Sequence, residues 1–146
     1  MEENIVIRNE KKEDWETVEK ITRQAFYNLY VPGCVEHYLV HIMREHEDFI
    51  PELDFVLELD GQVIGNIIYT KAKLIDENGT EKEILTFGPV SIHPGYQRMG
   101  YGKMLMEHSF QSASLPVPCI PPPCKGYCKS RHLSSHGNHF VLLHLP

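Results

Sequence analysis

Residues Gln97 to Lys103 combine two glycines with basic side chains, a pattern suited to binding an anion. A run of strand-forming residues precedes them and a helical pattern follows, so they open a helix whose first N–H groups have no partner within the helix. Gly100 and Gly102 carry no side chain where a ligand would approach the backbone, and the helix dipole favours negative charge at that end. Arg98 would add positive charge from the side. The pattern predicts a site for a pyrophosphate.

Gly88 and Pro89 lie inside the strand that leads to this site. Because proline cannot donate to a strand ladder and glycine often marks a bulge, we expect the strand to kink there. A kinked strand diverges from its neighbour and leaves the N–H and C=O groups of residues 90–92 free to pair with an extended ligand that contains amides. Pantetheine is such a ligand. Phosphates at the helix start and an amide chain along the strand together indicate coenzyme A.

Two helices are expected to support this strand. Apolar residues at steps of three and four predict a helix that begins near Trp15 and is stopped by Pro32 and Gly33, with a buried face made of Val18, Ile21, Ala25, Phe26 and Leu29. A second helix is predicted from Val35 to about Arg44. Its inward residues are expected to be Tyr38, Leu39 and Ile42.

The strands are predicted from their turns. Asp60–Gly61 and Asn78–Gly79 are typical of tight hairpin turns, and they separate strand patterns at 55–59, at 63–69 extended through residue 74, and at about 83–92. A further strand is predicted at residues 5–8. A third helix is predicted from about Met99, with a buried side made of Met99, Leu105, Met106 and Phe110. These elements form one α/β domain over residues 1–112, a mixed but mostly antiparallel sheet flanked by helices.

The run around the glycines resembles the motif of the GNAT superfamily of N-acetyltransferases. In that motif a Gln or Arg, two further residues, Gly, one residue, and Gly or Ala follow the fourth strand, and here these are Gln97, Gly100 and Gly102. The preceding order of elements fits as well, over about residues 3–112. The resemblance implies the GNAT-type acyl-CoA N-acyltransferase fold, acetyl-CoA as co-substrate, and an amine of a small molecule or peptide as acceptor.

The resemblance also implies which residues hold the cofactor. Backbone groups of Val90, Ser91 and Ile92 would line the pantetheine arm, and an amide near Val90 would polarise the thioester carbonyl. The pyrophosphate would be cradled by Gln97, Arg98, Met99, Gly100, Tyr101, Gly102 and Lys103. The reaction also needs a base and an acid. His93 is a candidate base, although a histidine between a strand and a proline is more often a turn residue, and Glu58 and Tyr27 are weaker candidates. No catalytic residue is assigned.

Composition restricts the partners. Hydrophobic residues make up 42% and charged residues 23% of the chain, as in ordinary globular domains, and no apolar run approaches the roughly 20 residues that cross a bilayer. The first residues lack the basic start and apolar stretch of a secretory signal, so we expect a cytoplasmic protein without a membrane segment. The net charge of −6 and the absence of a basic stripe argue against a nucleic acid partner.

Residues 113–146 have a different composition. Six of the ten prolines lie there, and no Asp or Glu follows Glu107. This break predicts an irregular tail and favours an out-of-frame or altered C-terminus, because acid-free stretches of this length are rare at ordinary usage. A complete GNAT domain continues with a fifth strand, a helix and two final strands, and no pattern after Ser112 fits them. Without those strands, exposed apolar surface would favour a homodimer.

Two non-enzymatic alternatives stay open. The chain would then be a truncated acyl-CoA binder without turnover, or an interaction module that zinc stabilises through its tail. Zinc favours thiolate and imidazole ligands, which the tail supplies as Cys119, Cys124, Cys128, His132, His136 and His139. Disordered thiols are the simpler interpretation, because the spacing differs from that of common zinc sites.

Overall fold

A computed structural model describes residues 2–113 of the 146-residue chain. Its elements, in chain order, are β1 (Ile5–Asn9), α1 (Trp15–Phe26), α2 (Glu36–Met43), β2 (Phe55–Leu59), β3 (Gln62–Ile75), β4 (Glu81–Ile92) and α3 (Tyr101–Ser112). The predicted order of strands and helices is confirmed. No helix in the described part of the chain could cross a membrane. The predicted tail, with its candidate zinc ligands, lies outside the described residues beyond Ala113.

The four strands form one antiparallel sheet in the order β1-β2-β3-β4. The helices α1 and α2 cover one face through a cluster of apolar side chains that consists of Val18, Ile21, Val40, Val56, Val63 and Ile68. The helix α3 covers the other face. There a second, larger cluster of apolar side chains includes Tyr101, Leu105, Met106 and Phe110 of α3. Within residues 2–113, β4 is therefore an edge strand that helices cover on both faces.

A bulge interrupts the pairing of β3 with β4. One residue of β3, Ile68, lies opposite two residues of β4, Gly88 and Pro89, because the register shifts by one between the pairs on either side. Gly88 has φ +137°, in the region of positive φ that favours glycine. The kink that the sequence predicts is present, and the last three residues of β4 follow it.

The first helix is shorter than predicted. It ends at Phe26, and the side chain of Leu29, predicted to be buried, is 46% exposed. Asn28 adopts a left-handed conformation with φ +55°, and its N–H donates to the Gly33 carbonyl at 2.7 Å while its side chain accepts from the Gly33 N–H at 2.7 Å. This closed loop takes the place of a further helical turn.

The second helix lies where predicted, but its buried face is different. Val40 is fully buried and Met43 packs against the same cluster, whereas Tyr38 is 62% exposed and Ile42 also faces solvent. Apolar residues occupy most of the helix circumference, so periodicity alone did not identify the inward side. Packing against α1 and the sheet selects the Val40 side.

Candidate functional site

The end of β4 turns two of its residues toward the open edge of the sheet. The His93 N–H donates to the Ile64 carbonyl on β3 at 2.7 Å. Backbone groups alternate in direction along an antiparallel strand. The N–H and C=O groups of Ser91 therefore also point to β3, while those of Val90 and Ile92 point outward. No other strand among residues 2–113 pairs with this edge. The backbone groups of Val90 and Ile92 are therefore placed to meet an extended ligand.

A side-chain amide closes part of this edge. The Nε2 of Gln97 donates to the outward carbonyl of Ile92 at 3.0 Å. This contact ties the loop after β4 back to the strand end. It also means that one of the two amide N–H groups of Gln97 is already engaged within the protein, although Gln97 was predicted to cradle the pyrophosphate.

The turn between β4 and α3 begins with a capping histidine. His93 Nδ1 accepts a hydrogen bond from the Gly95 N–H at 3.1 Å, at the start of the short 3-10 turn Pro94–Tyr96. The His93 ring also packs edge-on against Tyr96, with ring centroids 5.5 Å apart. In this arrangement His93 does what a turn residue does.

The start of α3 presents open backbone donors. Gly100 is the N-cap residue, with φ +94°, and the first helical hydrogen bond runs from the Met104 N–H to the Gly100 carbonyl at 3.1 Å. Within the described part of the chain, the N–H groups of residues 101–103 donate no hydrogen bond. Arg98, two residues before the cap, also has positive φ, at +63°. Three successive donors are thus directed at one region of space, where the helix dipole adds positive potential.

A cavity of about 210 Å³ lies in front of these donors. Its lining combines the end of β4 with the loop and the first turn of α3, through Ile92, Tyr96, Gln97, Arg98, Gly100, Gly102 and Lys103. All of these except Tyr96 were among the predicted site residues. A Cβ atom on Gly100 would meet no protein atom within 4 Å, so the space beside this lining residue is open. The side chain of Lys103 is mostly exposed and lies 3.7 Å from Glu107.

Two residues of the predicted pyrophosphate loop, Met99 and Tyr101, do not line the cavity. Met99, expected on the buried side of α3, precedes the helix and is 61% exposed. Tyr101 is buried, and its hydroxyl donates to the Glu3 carboxylate at 3.0 Å, which raises the pKa of Tyr101. Tyr96 lines the cavity but was not among the residues predicted from the sequence. Its position in a tight turn beside the glycine loop was the available signal.

The weaker candidates for a base lie elsewhere. The Glu58 carboxylate is bound by Arg8, which also holds Asp14 through a 2.7 Å contact. Tyr27 follows the end of α1 and is exposed. Neither residue lines the cavity. The arrangement therefore supplies donors for an anion and open strand groups for an amide chain, and among residues 2–113 no His, Asp or Glu lines the cavity.

Comparison with known proteins identifies the family. The sequence model of the Acetyltransferase (GNAT) family matches residues 23–114, more than half of the chain. The chain belongs to the GNAT family. No curated protein matches it.

Solved GNAT structures share its fold. A GNAT family acetyltransferase from Brucella melitensis, in complex with acetyl-CoA, is 30% identical with a TM-score of 0.64, over 76% of this chain and 70% of that chain. The ribosomal-protein-S18-alanine N-acetyltransferase from Escherichia coli is 19% identical with a TM-score of 0.52, over 74% and 58% of the two chains. An acetyltransferase from Vibrio fischeri is also 19% identical, with a TM-score of 0.54, over 75% and 86%. The last two show the fold alone. Acyl transfer is the reaction of this family.

Proposed function

We propose that the protein binds acetyl-CoA between the end of β4 and the start of α3 and transfers the acetyl group to an amine of a small molecule or peptide. One observation carries the proposal. Three successive N–H groups, unpartnered within residues 2–113, open onto a cavity that Arg98 and Lys103 flank. This arrangement suits a diphosphate, because charge-assisted hydrogen bonds from backbone N–H groups are strong and need no particular side chain.

The two ends of the site would hold different parts of acetyl-CoA. The diphosphate would accept hydrogen bonds from the N–H groups of residues 101–103, with Arg98 and Lys103 adding positive charge. The pantetheine arm would pair with the outward groups of Val90 and Ile92. The backbone of Ser91 is left out of this set, although it was predicted to line the arm, because it faces β3. Gln97 would shape the loop through its bond to the Ile92 carbonyl rather than contact phosphate.

The reaction would proceed by direct attack. The amine nitrogen forms a bond to the thioester carbon, the carbon–sulfur bond breaks, and the amine's proton leaves while the departing thiolate is protonated. Negative charge would develop on the carbonyl oxygen in between, and the outward N–H of Val90 would stabilise it. No base or acid is assigned, since His93 Nδ1 caps a turn and Glu58 is held by Arg8.

Calorimetry with acetyl-CoA tests the binding step on the full chain. We expect one site per chain, and we expect the double variant Arg98→Gln with Lys103→Gln to bind more weakly. Lys73→Gln is a control for the loss of an exposed positive charge, because Lys73, like Lys103, is exposed and lies near a glutamate, here Glu81 across the β3–β4 hairpin, and does not line the cavity. If the wild-type chain does not bind acetyl-CoA, the proposal is wrong.

A thiol-release assay over a panel of amines tests turnover. Release that depends on one amine supports the enzyme. Binding without release would favour a truncated acyl-CoA binder. No binding together with stoichiometric zinc would favour the interaction module instead.

The proposal extends to a homodimer. Large apolar side chains are exposed around α2, including Leu29, Val35, Tyr38 and Ile42. Surfaces of this kind favour association when they are contiguous. Sedimentation velocity over a range of concentrations would show whether the chain dimerises, and a monomer at all concentrations would contradict it.

A further inference from the structure

Ser91 and Thr22 form a buried hydrogen bond between β4 and α1. Their hydroxyl oxygens are 3.1 Å apart, and the two residues are 1% and 0% exposed. Ser91 lies between Val90 and Ile92, the residues whose backbone groups face the open edge. Its side chain points to α1, whereas theirs pack in the cluster with α3. The bond therefore anchors the middle of the proposed pantetheine-binding segment from the opposite face of the sheet.

The direction of this hydrogen bond follows from its neighbour. Thr22 Oγ1 lies 2.8 Å from the Val18 carbonyl, which can only accept, so the Thr22 hydroxyl donates its single proton there. Thr22 must then accept from Ser91. The Ser91 hydroxyl donates to Thr22, and the Thr22 hydroxyl donates to the Val18 carbonyl of α1, so both hydrogen bonds have a defined direction.

These two hydrogen bonds restrain β4, which pairs with another strand along one edge only within residues 2–113. Hydrogen bonds to β3 fix one edge of β4, while within residues 2–113 no strand fixes the other. A tilt of the Ser91 peptide units about the strand axis would rotate the adjoining Val90 peptide and redirect its outward N–H. The bond from Ser91 to Thr22 opposes that tilt, because α1 is itself packed on the sheet through Val18 and Ile21.

We infer that the hydrogen bond between Ser91 and Thr22 is a positioning device that aims the Val90 N–H at the thioester carbonyl of acetyl-CoA. The inference rests on the proposed function. It assigns neither hydroxyl a direct contact with the substrate. It makes Ser91 and Thr22 positioning residues for carbonyl polarisation, a role that is separate from the affinity for the diphosphate.

Variants of Thr22 separate positioning from packing. Thr22→Val keeps the shape and removes the acceptor, whereas Thr22→Ser keeps the hydroxyl. Ser109→Ala is the matched control, because it removes another buried hydroxyl pair, in which Ser109 Oγ lies 2.8 Å from the Tyr69 hydroxyl beneath α3. Should Thr22→Val fail to fold, as judged by circular dichroism, Ser91→Ala removes the same bond from the donor side.

The readout compares acetyl-CoA with free CoA, which has the same pantetheine arm but lacks the thioester carbonyl. Dissociation constants for both are measured by calorimetry on the full chain, and the infrared band of ¹³C-labelled acetyl-CoA reports carbonyl polarisation directly. We expect the wild-type chain to prefer acetyl-CoA and to lower the carbonyl frequency. Thr22→Val should reduce the preference about fivefold, as loss of one net hydrogen bond would, and return the band toward its free position. Thr22→Ser should restore both, and Ser109→Ala should change neither.

The possible failures are distinguishable. A wild-type chain that binds neither ligand refutes the proposed function, and the inference falls with it. A chain that binds both ligands equally, with an unshifted carbonyl band, overturns the inference and leaves cofactor binding intact. The same conclusion follows if Thr22→Val keeps the full preference and the full band shift, since the bond would then serve packing alone.

Discussion

Adding a methyl group at Gly100 should lower both the stability of the fold and its affinity for acetyl-CoA. Adding one at the neighbouring Gly102 should stabilise the fold slightly and leave the affinity nearly unchanged. Gly100 has φ +94° and lies against the cavity, with no protein atom within 4 Å of an added Cβ. Gly102 is in the first turn of α3, where an added Cβ would lie 3.7 Å from Ile92 Cγ1, an ordinary contact. The substitutions Gly100→Ala and Gly102→Ala therefore differ in backbone strain and in the direction of the new methyl group.

The magnitudes follow from those environments. Gly100→Ala forces alanine into a left-handed conformation and should lower the free energy of unfolding by about 1–2 kcal/mol. Gly102→Ala replaces glycine inside a helix and should raise it by about 0.5 kcal/mol. If the Gly100 methyl displaces the diphosphate from one backbone donor, a charge-assisted hydrogen bond worth about 1.5–3 kcal/mol is lost, roughly a 10- to 150-fold rise in Kd. Gly102→Ala should bind acetyl-CoA within about twofold of wild type.

Urea denaturation measures the free energy of unfolding of both variants, and calorimetry with acetyl-CoA measures their dissociation constants. Comparing the two variants removes the general effect of adding a methyl group to this loop. The reasoning would be refuted if Gly100→Ala bound acetyl-CoA as tightly as wild type, because the diphosphate would then not approach the backbone at the N-cap. It would also be refuted if Gly102→Ala lost binding to the same extent.

Two further predictions concern stability. Gly65→Ala would place a Cβ 2.6 Å from Cδ1 at the end of the Ile92 side chain and 3.2 Å from the Ser91 carbonyl oxygen, so the Ile92 side chain must move and the β4 backbone must give way by a few tenths of an ångström. Urea denaturation should show a free energy of unfolding lower by about 1–3 kcal/mol, together with weaker acetyl-CoA binding; unchanged values would contradict this. Burial, together with Glu10, raises the pKa of Asp54 to about 9, so the folded state holds a proton that the unfolded state releases above about pH 4. The contribution of Asp54 to stability is thus present below pH 4 and lost as the pH rises to about 9, by up to about 1.4 kcal/mol per pH unit. Unfolding measured from pH 5 to 8 should show a flatter slope for Asp54→Asn, and an unchanged slope would exclude this assignment.

The strands were predictable because local turn chemistry defines them. Asp60 and Gly61 both have positive φ, at +50° and +82°, as the tight hairpin between β2 and β3 requires. Gly79 has φ +81° in the next hairpin. These conformations depend on few neighbours, so the residue types indicate them directly.

The inward faces of the helices were harder to predict because they depend on tertiary packing. Apolar side chains surround most of α2, and only contact with α1 and the sheet selects Val40 over Tyr38. The loop closed by Asn28 and Gly33 likewise shortened α1 through a contact between residues five apart. Periodicity measures a preference for burial on one side and contains no information about which partner supplies that side.

The cofactor site was partly predictable for a related reason. The glycine loop can be identified because its backbone N–H groups are proposed to bind the ligand, and glycine is the residue type that leaves the backbone accessible. The direction of the Ser91 backbone could not be predicted in the same way. It depends on the register that pairs His93 with Ile64, and a shift of one residue would turn Ser91 outward and Val90 inward.

The same distinction explains why the sequence points to a cofactor and leaves the acceptor open. Main-chain donors at α3 and main-chain edges at β4 would recognise parts that every acyl-CoA shares, so few residue types are needed and they stand out. An acceptor amine must be distinguished by side chains, and side chains are placed by the packing of helices and loops. In this chain the segment from Tyr27 to Val35 departs most from its predicted form, with a shortened helix, a left-handed Asn28 and exposed apolar residues. The positions of its side chains depend on packing contacts that residue spacing does not record.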